Sequence, residues 1–308
     1  MTDFGHIPVL LHDSMNLLIT LPKGIYVDAT SGLGGHTEEM AKRLSPQARL
    51  IAFDVDPDAL AISSEKLKKY SNIEFIQRNF RYIKVELTRL EALPVQGILF
   101  DLGLSSLEID NPAKGFSFTQ EGPLDMRMDP SLPESAAHLI NTATEKRLKE
   151  IIRAYGEERF AGRIARMIEE AREKVPFKTT RDLELVVRQA VHGPYQVKSL
   201  ARVFQAFRIA VNRELEALEK ALPDAFECLA PGGRLVVIAY HSLEDRLVKT
   251  YFKDLCTDCV CPPEQPVCTC NHVQKARFIQ KKALTPTEDE IRANPRSRSA
   301  RLRCIEKL

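Results

Sequence analysis

Short apolar strands alternate with helix-like stretches along the first hundred residues, and this alternation constrains the fold more than any other feature. The strand candidates are Gly24–Ala29, Leu50–Asp54, Ile73–Gln77 and Gly97–Asp101. The helix-like stretches between them are Gly35–Leu44, Pro57–Lys69 and Phe80–Leu93. An order of βαβαβαβ predicts a parallel, doubly wound α/β sheet with right-handed crossovers.

A glycine-rich turn, Gly32 to His36, joins the first strand candidate to its helix. Glycines let the backbone approach a ligand, and a helix N-terminus offers N–H groups to a negative group. A plain strand–helix connection remains an alternative. Asp54 ends the second strand candidate, where a carboxylate accepts the ribose hydroxyls of an adenosine-type ligand. Alternatively, Asp54 and Asp56 cap the helix that begins at Pro57.

The glycine spacing discriminates between cofactors. A dinucleotide fingerprint starting at Gly32 would need glycine at position 37, where Thr37 stands. The third glycine is advanced to Gly35 instead. The pattern therefore favours S-adenosylmethionine over a nicotinamide dinucleotide, and a dehydrogenase is the weakest of the competing functions.

Two further strand ends carry candidate chemistry. Asp101 ends the fourth strand, at the edge where ligands of open α/β sheets bind. Its carboxylate could accept a hydrogen bond from the N–H of an amine nucleophile. Contact with the cofactor, or a turn cap, is the alternative. Phe80 follows the third strand and could lie against an adenine ring or be the first core residue of its helix.

A fifth strand, Arg234–Tyr240, follows the turn Pro231-Gly232-Gly233. Tyr240 at its end is a candidate for stacking on a target base, and His241 for hydrogen bonding to it. A histidine at a strand end is more often structural. Ser242 is the expected N-cap of a helix reaching Asp254.

The alternation of strands and helices stops between the fourth strand, which ends at Asp101, and the fifth strand, which begins at Arg234. Ser105–Pro133 is a long loop rich in Pro, Gly and Asp, and amphipathic helices follow it. One of these helices is expected to begin at an N-cap formed by Thr179 or Thr180. A longer helix is expected over Ser199–Leu222, and Pro223 is expected to interrupt it. Two strands, Ala276–Leu284 and Ser299–Ile305, end the chain. The predicted domains are residues 1–133 with 222–308, which bind the cofactor, and an inserted helical domain, 134–221.

Charge is nearly balanced overall, at a net +2 over 308 residues. It is uneven, however, with 17 basic and 12 acidic residues in Glu145–Lys220 and 10 basic and 4 acidic in Lys275–Lys307. Such patches attract a phosphate backbone or are simply solvated helix faces. No segment approaches membrane-spanning length, and Met1–His6 does not resemble the start of a signal peptide, so a cytoplasmic location is expected.

Five of the seven cysteines cluster as Cys256-x2-Cys259-x-Cys261-x6-Cys268-x-Cys270. Pro262, Pro263 and Pro266 predict an extended surface loop here. A zinc site with four thiolates is chemically possible, but only the first pair has CxxC spacing. No metal is predicted.

Eight segments together resemble the bacterial 16S ribosomal RNA cytosine-N4 methyltransferases over nearly the whole chain. They are His6–Leu11, Gly32–His36, Asp101–Ser106, Gly115–Phe118, Gly122–Asp129, Tyr155–Phe160, His241–Arg246 and Asn294–Ser299. Gly-Pro-Leu-Asp-Met-Arg-Met-Asp at 122–129 is long and chemically unusual, and therefore highly specific.

The resemblance implies a class I methyltransferase-like (Rossmann-type) doubly wound sheet with an inserted small helical domain for substrate recognition. It implies methyl transfer from S-adenosylmethionine to N4 of a cytidine in the decoding region of 16S ribosomal RNA, with the loop Ser105–Pro133 as a lid. The implied partner is 16S rRNA or the small ribosomal subunit, and no association with a membrane is implied. The oligomeric state is left open, and a dimer is one option.

Carried over by position, the family's cofactor contacts fall on Gly34, Gly35, His36, Asp54, Phe80, Asp101 and Glu108. Some members have glutamine in place of Glu108. Asp101 is the catalytic candidate, and Arg127, Tyr240 and His241 are the substrate-binding candidates. The Asn/Asp-Pro-Pro-aromatic loop of many DNA amino-methyltransferases is missing. A DNA or small-molecule amino-methyltransferase and a non-catalytic RNA-binding protein remain competing functions.

Overall fold

The computed structural model describes residues 8–262, 265 and 267–308. His6 and Ile7 of the first family segment, and Pro263 and Pro266 of the predicted surface loop, lie outside the described residues. The described residues divide into two compact units, those within 8–103 and 216–308 and those within 104–215. The second unit begins earlier than the predicted insertion at 134, and ends at 215 instead of 221.

The first unit is built on a seven-stranded sheet. Its strands are β1 (Ile25–Asp28), β2 (Arg49–Asp54), β3 (Ile73–Gln77), β4 (Val95–Asp101), β5 (Leu229–Ala239), β6 (Ala276–Phe278) and β7 (Arg301–Lys307). The spatial order is β3-β2-β1-β4-β5-β7-β6, parallel from β3 to β5 and antiparallel where β7 pairs with β5 and β6. The doubly wound parallel sheet is thus confirmed, and the chain reverses direction of winding between β1 and β4.

Helices cover both faces of this sheet. The helices of the first unit are α1 (Leu11–Leu18), α2 (Gly35–Arg43), α3 (Pro57–Leu67), α4 (Ile83–Arg89), α11 (Glu214–Cys228), α12 (Ser242–Leu255) and α13 (Glu288–Ala293), of which α13 has no buried residue. Alternating strand residues feed two cores, because successive side chains of a strand point to opposite faces. Val27 and Phe53 pack in one core with α11 and α12, and Tyr26 and Leu50 pack in the other with α1 and α2.

The second unit is helical. It contains α5 (Ser106–Asp110), α6 (Ala136–Thr142), α7 (Glu145–Gly156), α8 (Ala161–Arg172), α9 (Thr180–Ala190) and α10 (Gln196–Asn212). Thr179 is the N-cap of α9, one of the two predicted positions. Phe116, Leu124 and Met126 from the long loop are buried in the core of these helices. That packing is why the unit starts before residue 134.

The expected single helix Ser199–Leu222 is wrong. It is two helices, α10 and α11, separated at Arg213, which adopts a left-handed φ of 51°. Pro223 lies inside α11 and does not end it. The expected strand Ala276–Leu284 is also shorter, since β6 stops at Phe278 and Leu284 forms only an isolated bridge with Leu302.

Candidate active site

The carboxyl ends of β1, β2 and β4 gather the polar residues predicted for the site. The turn after β1 is fixed to the end of β2, because the Ser31 N–H donates to the Phe53 carbonyl at 2.8 Å and the Gly32 N–H to Asp54 Oδ2 at 2.6 Å. Gly34 is the N-cap of α2 with a φ of 77°, a left-handed conformation that favours glycine. The turn therefore delivers the N-terminus of α2 to the switch point of the sheet.

Asp54 stands where the sequence predicts it, at the end of β2. Its Oδ1 accepts the Asp56 N–H at 2.9 Å, and its Oδ2 accepts the Gly32 N–H. Burial raises the pKa of Asp54 to about 6, although the two backbone donors oppose that shift. Asp56 has the separate role of capping α3, since its carboxylate accepts the Asp58 N–H at 3.1 Å.

Asp101 ends β4, and both of its carboxylate oxygens have neighbours. The Tyr240 hydroxyl donates to Oδ1 at 2.8 Å, and His36 Nδ1 lies 3.4 Å from Oδ2. The Tyr240 ring packs against Gly103, where a Cβ would come within 2.7 Å of the ring. Burial, followed by the charge of Asp101, raises the pKa of Tyr240 well above its usual value, so the hydroxyl stays a donor.

His36 is buried between two acceptors. Its Nε2 lies 3.1 Å from the Val9 carbonyl, and its Nδ1 faces Asp101. Burial lowers the pKa of His36, and a neutral ring can donate to only one of these two neighbours.

Asp28 is a further carboxyl at this edge that was not among the residues predicted for the site. It ends β1, is fully buried, accepts the Thr37 hydroxyl at 2.6 Å and the Thr30 N–H at 3.2 Å. Burial raises the pKa of Asp28 to about 6, and nearby His36 opposes that shift. Its position at the end of a strand, like those of Asp54 and Asp101, is the sequence feature that could have identified it.

Phe80 packs partly buried against the core beside the sheet edge. It opens a 3₁₀ turn, Phe80–Tyr82, directly after Asn79, whose side chain caps that turn. Its half-buried ring meets Phe100 edge to face, with centroids 5.4 Å apart. One side of the ring is therefore held by the core. The ring follows β3, the strand that pairs with β2, and β2 ends at Asp54.

His241, not Ser242, is the N-cap of α12, so the expected cap is wrong by one residue. His241 Nδ1 accepts the Glu244 N–H at 3.5 Å, while Glu244 Oε2 accepts the N–H groups of His241 at 3.3 Å and Tyr240 at 2.9 Å. The ring of His241 is thus engaged in a capping box, the reciprocal bonding of cap and third helical residue.

Glu108 and Arg127 lie in the second unit. Glu108 is buried and forms a capping box with Ser105, whose N–H and hydroxyl donate to Glu108 Oε2 at 2.7 and 2.9 Å. Arg127 makes a two-point ion pair with Asp125, Nε to Oδ1 at 2.7 Å and Nη2 to Oδ2 at 2.9 Å. Its Nη1 donates to the carbonyls of Pro130 and Leu132 at 3.0 and 2.8 Å. Arg127 therefore fastens its own loop.

The strand order, the antiparallel β7 and the glycine turn at the switch point define the class I methyltransferase fold. The donor set fits the cofactor of that class. Buried carboxyl groups suit a sulfonium cation, a carboxylate after β2 suits a ribose diol, and a helix N-terminus suits a carboxylate.

The comparisons with known proteins agree. A model of the MraW methylase family matches residues 3–308. A Dehalococcoides mccartyi protein named ribosomal RNA small subunit methyltransferase H is 47% identical over 310 residues, covering 100% of this chain and 88% of its own. One of the same name from Carboxydothermus hydrogenoformans is 48% identical over 310 residues, covering 99% of each. The chain belongs to the MraW methylase family and is an S-adenosylmethionine-dependent methyltransferase.

Among solved structures, an rRNA methylase from Streptococcus thermophilus aligns with 97% of this chain and 93% of its own, with a TM-score of 0.42 and 13% identity. The fold class accordingly rests on the strand order. Within the described residues, no helix combines the length and apolar character needed to cross a membrane.

Proposed function

We propose that this enzyme transfers a methyl group from S-adenosylmethionine to N4 of a cytidine in the decoding region of 16S ribosomal RNA, acting in the cytoplasm on the rRNA or the small subunit. Family membership and the names of the relatives support a small-subunit rRNA substrate. The excess of basic residues in Glu145–Lys220 and Lys275–Lys307 supports a polyanionic partner.

The observation that carries the chemistry is the Asp101 carboxylate at the end of β4. Its oxygens hold the Tyr240 hydroxyl and face His36, which fixes the orientation of the carboxylate. An exocyclic amine brought to this edge can donate an N–H to Asp101, which raises the electron density on its nitrogen as the bond to carbon forms.

When bound, S-adenosylmethionine supplies an electrophilic methyl group on a sulfonium. Gly34, Gly35 and His36 at the start of α2 would hold its carboxylate, Asp54 its ribose hydroxyls and Phe80 its adenine. Asp101 would contribute to the same pocket. These assignments follow from the position of each residue in the sequence and the fold. Apart from Glu108, all residues proposed to contact the cofactor lie in the first unit.

Four residues have structural contacts that favour a different or an additional role. The capping box of Glu108 favours fixing the start of α5 over touching the cofactor. The engaged ring of His241 favours capping α12 over bonding a base. Arg127 would act on the substrate through the order of its loop, and Tyr240 through the orientation of Asp101, in addition to any stacking on the base.

Radioactive methyl donor added to small subunits that lack this modification tests the proposal. The label should be recovered as N4-methylated cytidine in the decoding region, from either free 16S rRNA or assembled subunits. Duplex DNA should receive none, which separates the DNA alternative. Label recovered in any other nucleoside would refute the proposal, and an Asp101→Asn variant gives the matched background.

A further inference from the structure

Four cysteines of the loop between α12 and β6 converge in space. The Sγ atoms of Cys259, Cys261, Cys268 and Cys270 all lie within 4.8 Å of one another. Separations between individual sulfurs are 3.5 Å for Cys259–Cys268 and Cys268–Cys270, 3.8 Å for Cys270–Cys259 and 4.0 Å for Cys261–Cys268. These distances are far longer than a disulfide bond of about 2.0 Å.

The distances match a tetrahedron of thiolates around one ion. A Zn–S bond of about 2.3 Å places the corners of a regular tetrahedron about 3.8 Å apart. The four measured separations, 3.5, 3.5, 3.8 and 4.0 Å, are close to that value. Two CxC pairs, Cys259 with Cys261 and Cys268 with Cys270, supply the four corners.

Backbone amides are directed at the same sulfurs. The N–H groups of Val260 and Cys261 donate to Cys270 and Cys259 at 3.5 and 3.4 Å, and the Thr269 N–H donates to Cys261 at 3.4 Å. Such bonds stabilise thiolate charge and orient the ligands of metal sites.

Apolar packing does not explain the cluster. Cys259 and Cys268 are exposed, Cys261 and Cys270 are half-buried, and Val260 and Val267 nearby are 55% and 69% exposed. The loop is held at its base by the Lys275 N–H, which donates to the Leu255 carbonyl at 2.9 Å. A surface loop without a core of its own gains order from a structural metal.

We infer that Cys259, Cys261, Cys268 and Cys270 form a structural zinc site. Four thiolates complete the coordination shell, so the site leaves no open position for catalysis. Cys256, the partner in the only CxxC spacing, is outside the group. The two CxC pairs are the ligands instead, which is why spacing in the sequence gave a weak signal.

Metal analysis of the full chain, purified without chelator, tests this assignment. One zinc per chain is expected in the native protein and in a Cys256→Ala control. Cys268→Ser should lose that zinc during dialysis against a mild chelator, with unchanged circular dichroism and unchanged binding of S-adenosylmethionine showing that the rest of the chain is folded.

Cobalt supplies a measurement that needs no variant. Protein produced in cobalt-supplemented medium should show the intense visible absorption of cobalt in a tetrahedral thiolate site, and zinc should abolish it. Absence of bound metal, disulfides in the intact mass, stoichiometric iron in place of zinc, or zinc retained equally by Cys268→Ser would each overturn the assignment. Because metal content and not methyl transfer is measured, the result is independent of the proposed substrate.

Discussion

Two aspartates at the carboxyl edge of the sheet, Asp28 and Asp54, are held in surroundings that oppose their charge. Burial raises the pKa values of Asp28 and Asp54 to about 6. A cationic ligand favours the charged form of a nearby carboxyl group. Binding of a sulfonium cofactor should therefore strengthen as these groups ionise, and the edge is better suited to a cation than to an anion.

Asp101→Asn isolates the acceptor role proposed for this carboxylate. Loss of a positioned proton acceptor lowers turnover by about 10²–10⁴-fold. We expect kcat on small subunits to fall within that range while the Kd for S-adenosylmethionine rises less than about tenfold. Tyr240→Phe removes only the 2.8 Å bond to Asp101 Oδ1 and should give a smaller loss. An Asp101→Asn enzyme with unchanged kcat would contradict the acceptor role.

Asp28→Asn tests the buried carboxyl through stability. The folded pKa of Asp28 is about 6, above the ordinary value of 3.8, so the folded state binds the proton more tightly. Wild type therefore gains stability from Asp28 as pH falls from above 6 to below 3.8, by up to about 3 kcal/mol. The asparagine cannot gain it.

Denaturant unfolding of cofactor-free protein across this pH range measures the difference. The free energy of unfolding of wild type should rise relative to Asp28→Asn on acidification. A difference between the two proteins that is constant with pH would show that the pKa of Asp28 is not raised.

At the scale of elements, the turn before α2 is constrained by packing as well as by any ligand. A Cβ on Gly35 would lie 2.4 Å from Pro8 Cγ, and the proline ring cannot rotate away. We expect Gly35→Ala to lower the free energy of unfolding by about 1–3 kcal/mol. Gly162→Ala in α8 is the control, because its Cβ would meet Lys149 at an ordinary 3.6 Å.

The control should instead gain about 0.5–1 kcal/mol, since alanine is the better helix former. Thermal unfolding of both variants gives the comparison. Equal effects at positions 35 and 162 would show that the close approach of Pro8 does not constrain the turn.

Arg127→Ala tests the loop fastened by its guanidinium. Four donor contacts, two to Asp125 and one each to the carbonyls of Pro130 and Leu132, are lost together. Methyl transfer to rRNA should fall while the affinity for S-adenosylmethionine stays within about twofold, and amides around residue 132 should exchange hydrogen faster. Arg147→Ala, whose partner Glu150 is exposed, is the control for loss of one charge. Unchanged turnover on small subunits would exclude a substrate role for the loop.

The strands were predictable because buried parallel strands appear as apolar runs between turn signals. Ile73–Gln77 was located to the residue, and β1, β2 and β4 to within two. The break at Arg213 was not predictable, because an arginine carries no local signal for a left-handed φ. Pro223 gave a misleading signal, since tertiary packing of α11 outweighs the lost backbone bond.

The site divides in the same way. Asp54 and Asp101 were located because the end of a strand fixes where they lie. The capping boxes of Glu108 and His241 were readable in principle, each having its partner three residues away as Ser105 and Glu244, but functional motifs drew attention to the same positions. The convergence of the four thiols was not readable, because it depends on how the loop closes.

Across the whole molecule, formal charge overstates the cationic surface available to RNA. On β7, Arg303 pairs with Asp245, Nε to Oδ1 at 2.7 Å and Nη2 to Oδ2 at 3.1 Å, and is therefore already neutralised. Arg301, two residues earlier on the same strand, is exposed. Neighbouring arginines of one strand should thus contribute differently to binding.

Arg301→Gln and Arg303→Gln make a matched pair that measures this difference. Binding of small subunits should weaken as salt rises, because cationic side chains release counterions from phosphates. If Arg301 contacts a phosphate, its loss reduces the slope of log Kd against log salt by about 0.7–0.9. Arg303→Gln should leave the slope unchanged and lower the free energy of unfolding by about 1–3 kcal/mol, since it leaves the half-buried Asp245 without this partner. A slope reduced equally by both replacements would show that the pairing with Asp245 does not withhold Arg303 from RNA, and a slope changed by neither would place the RNA on another face of the protein.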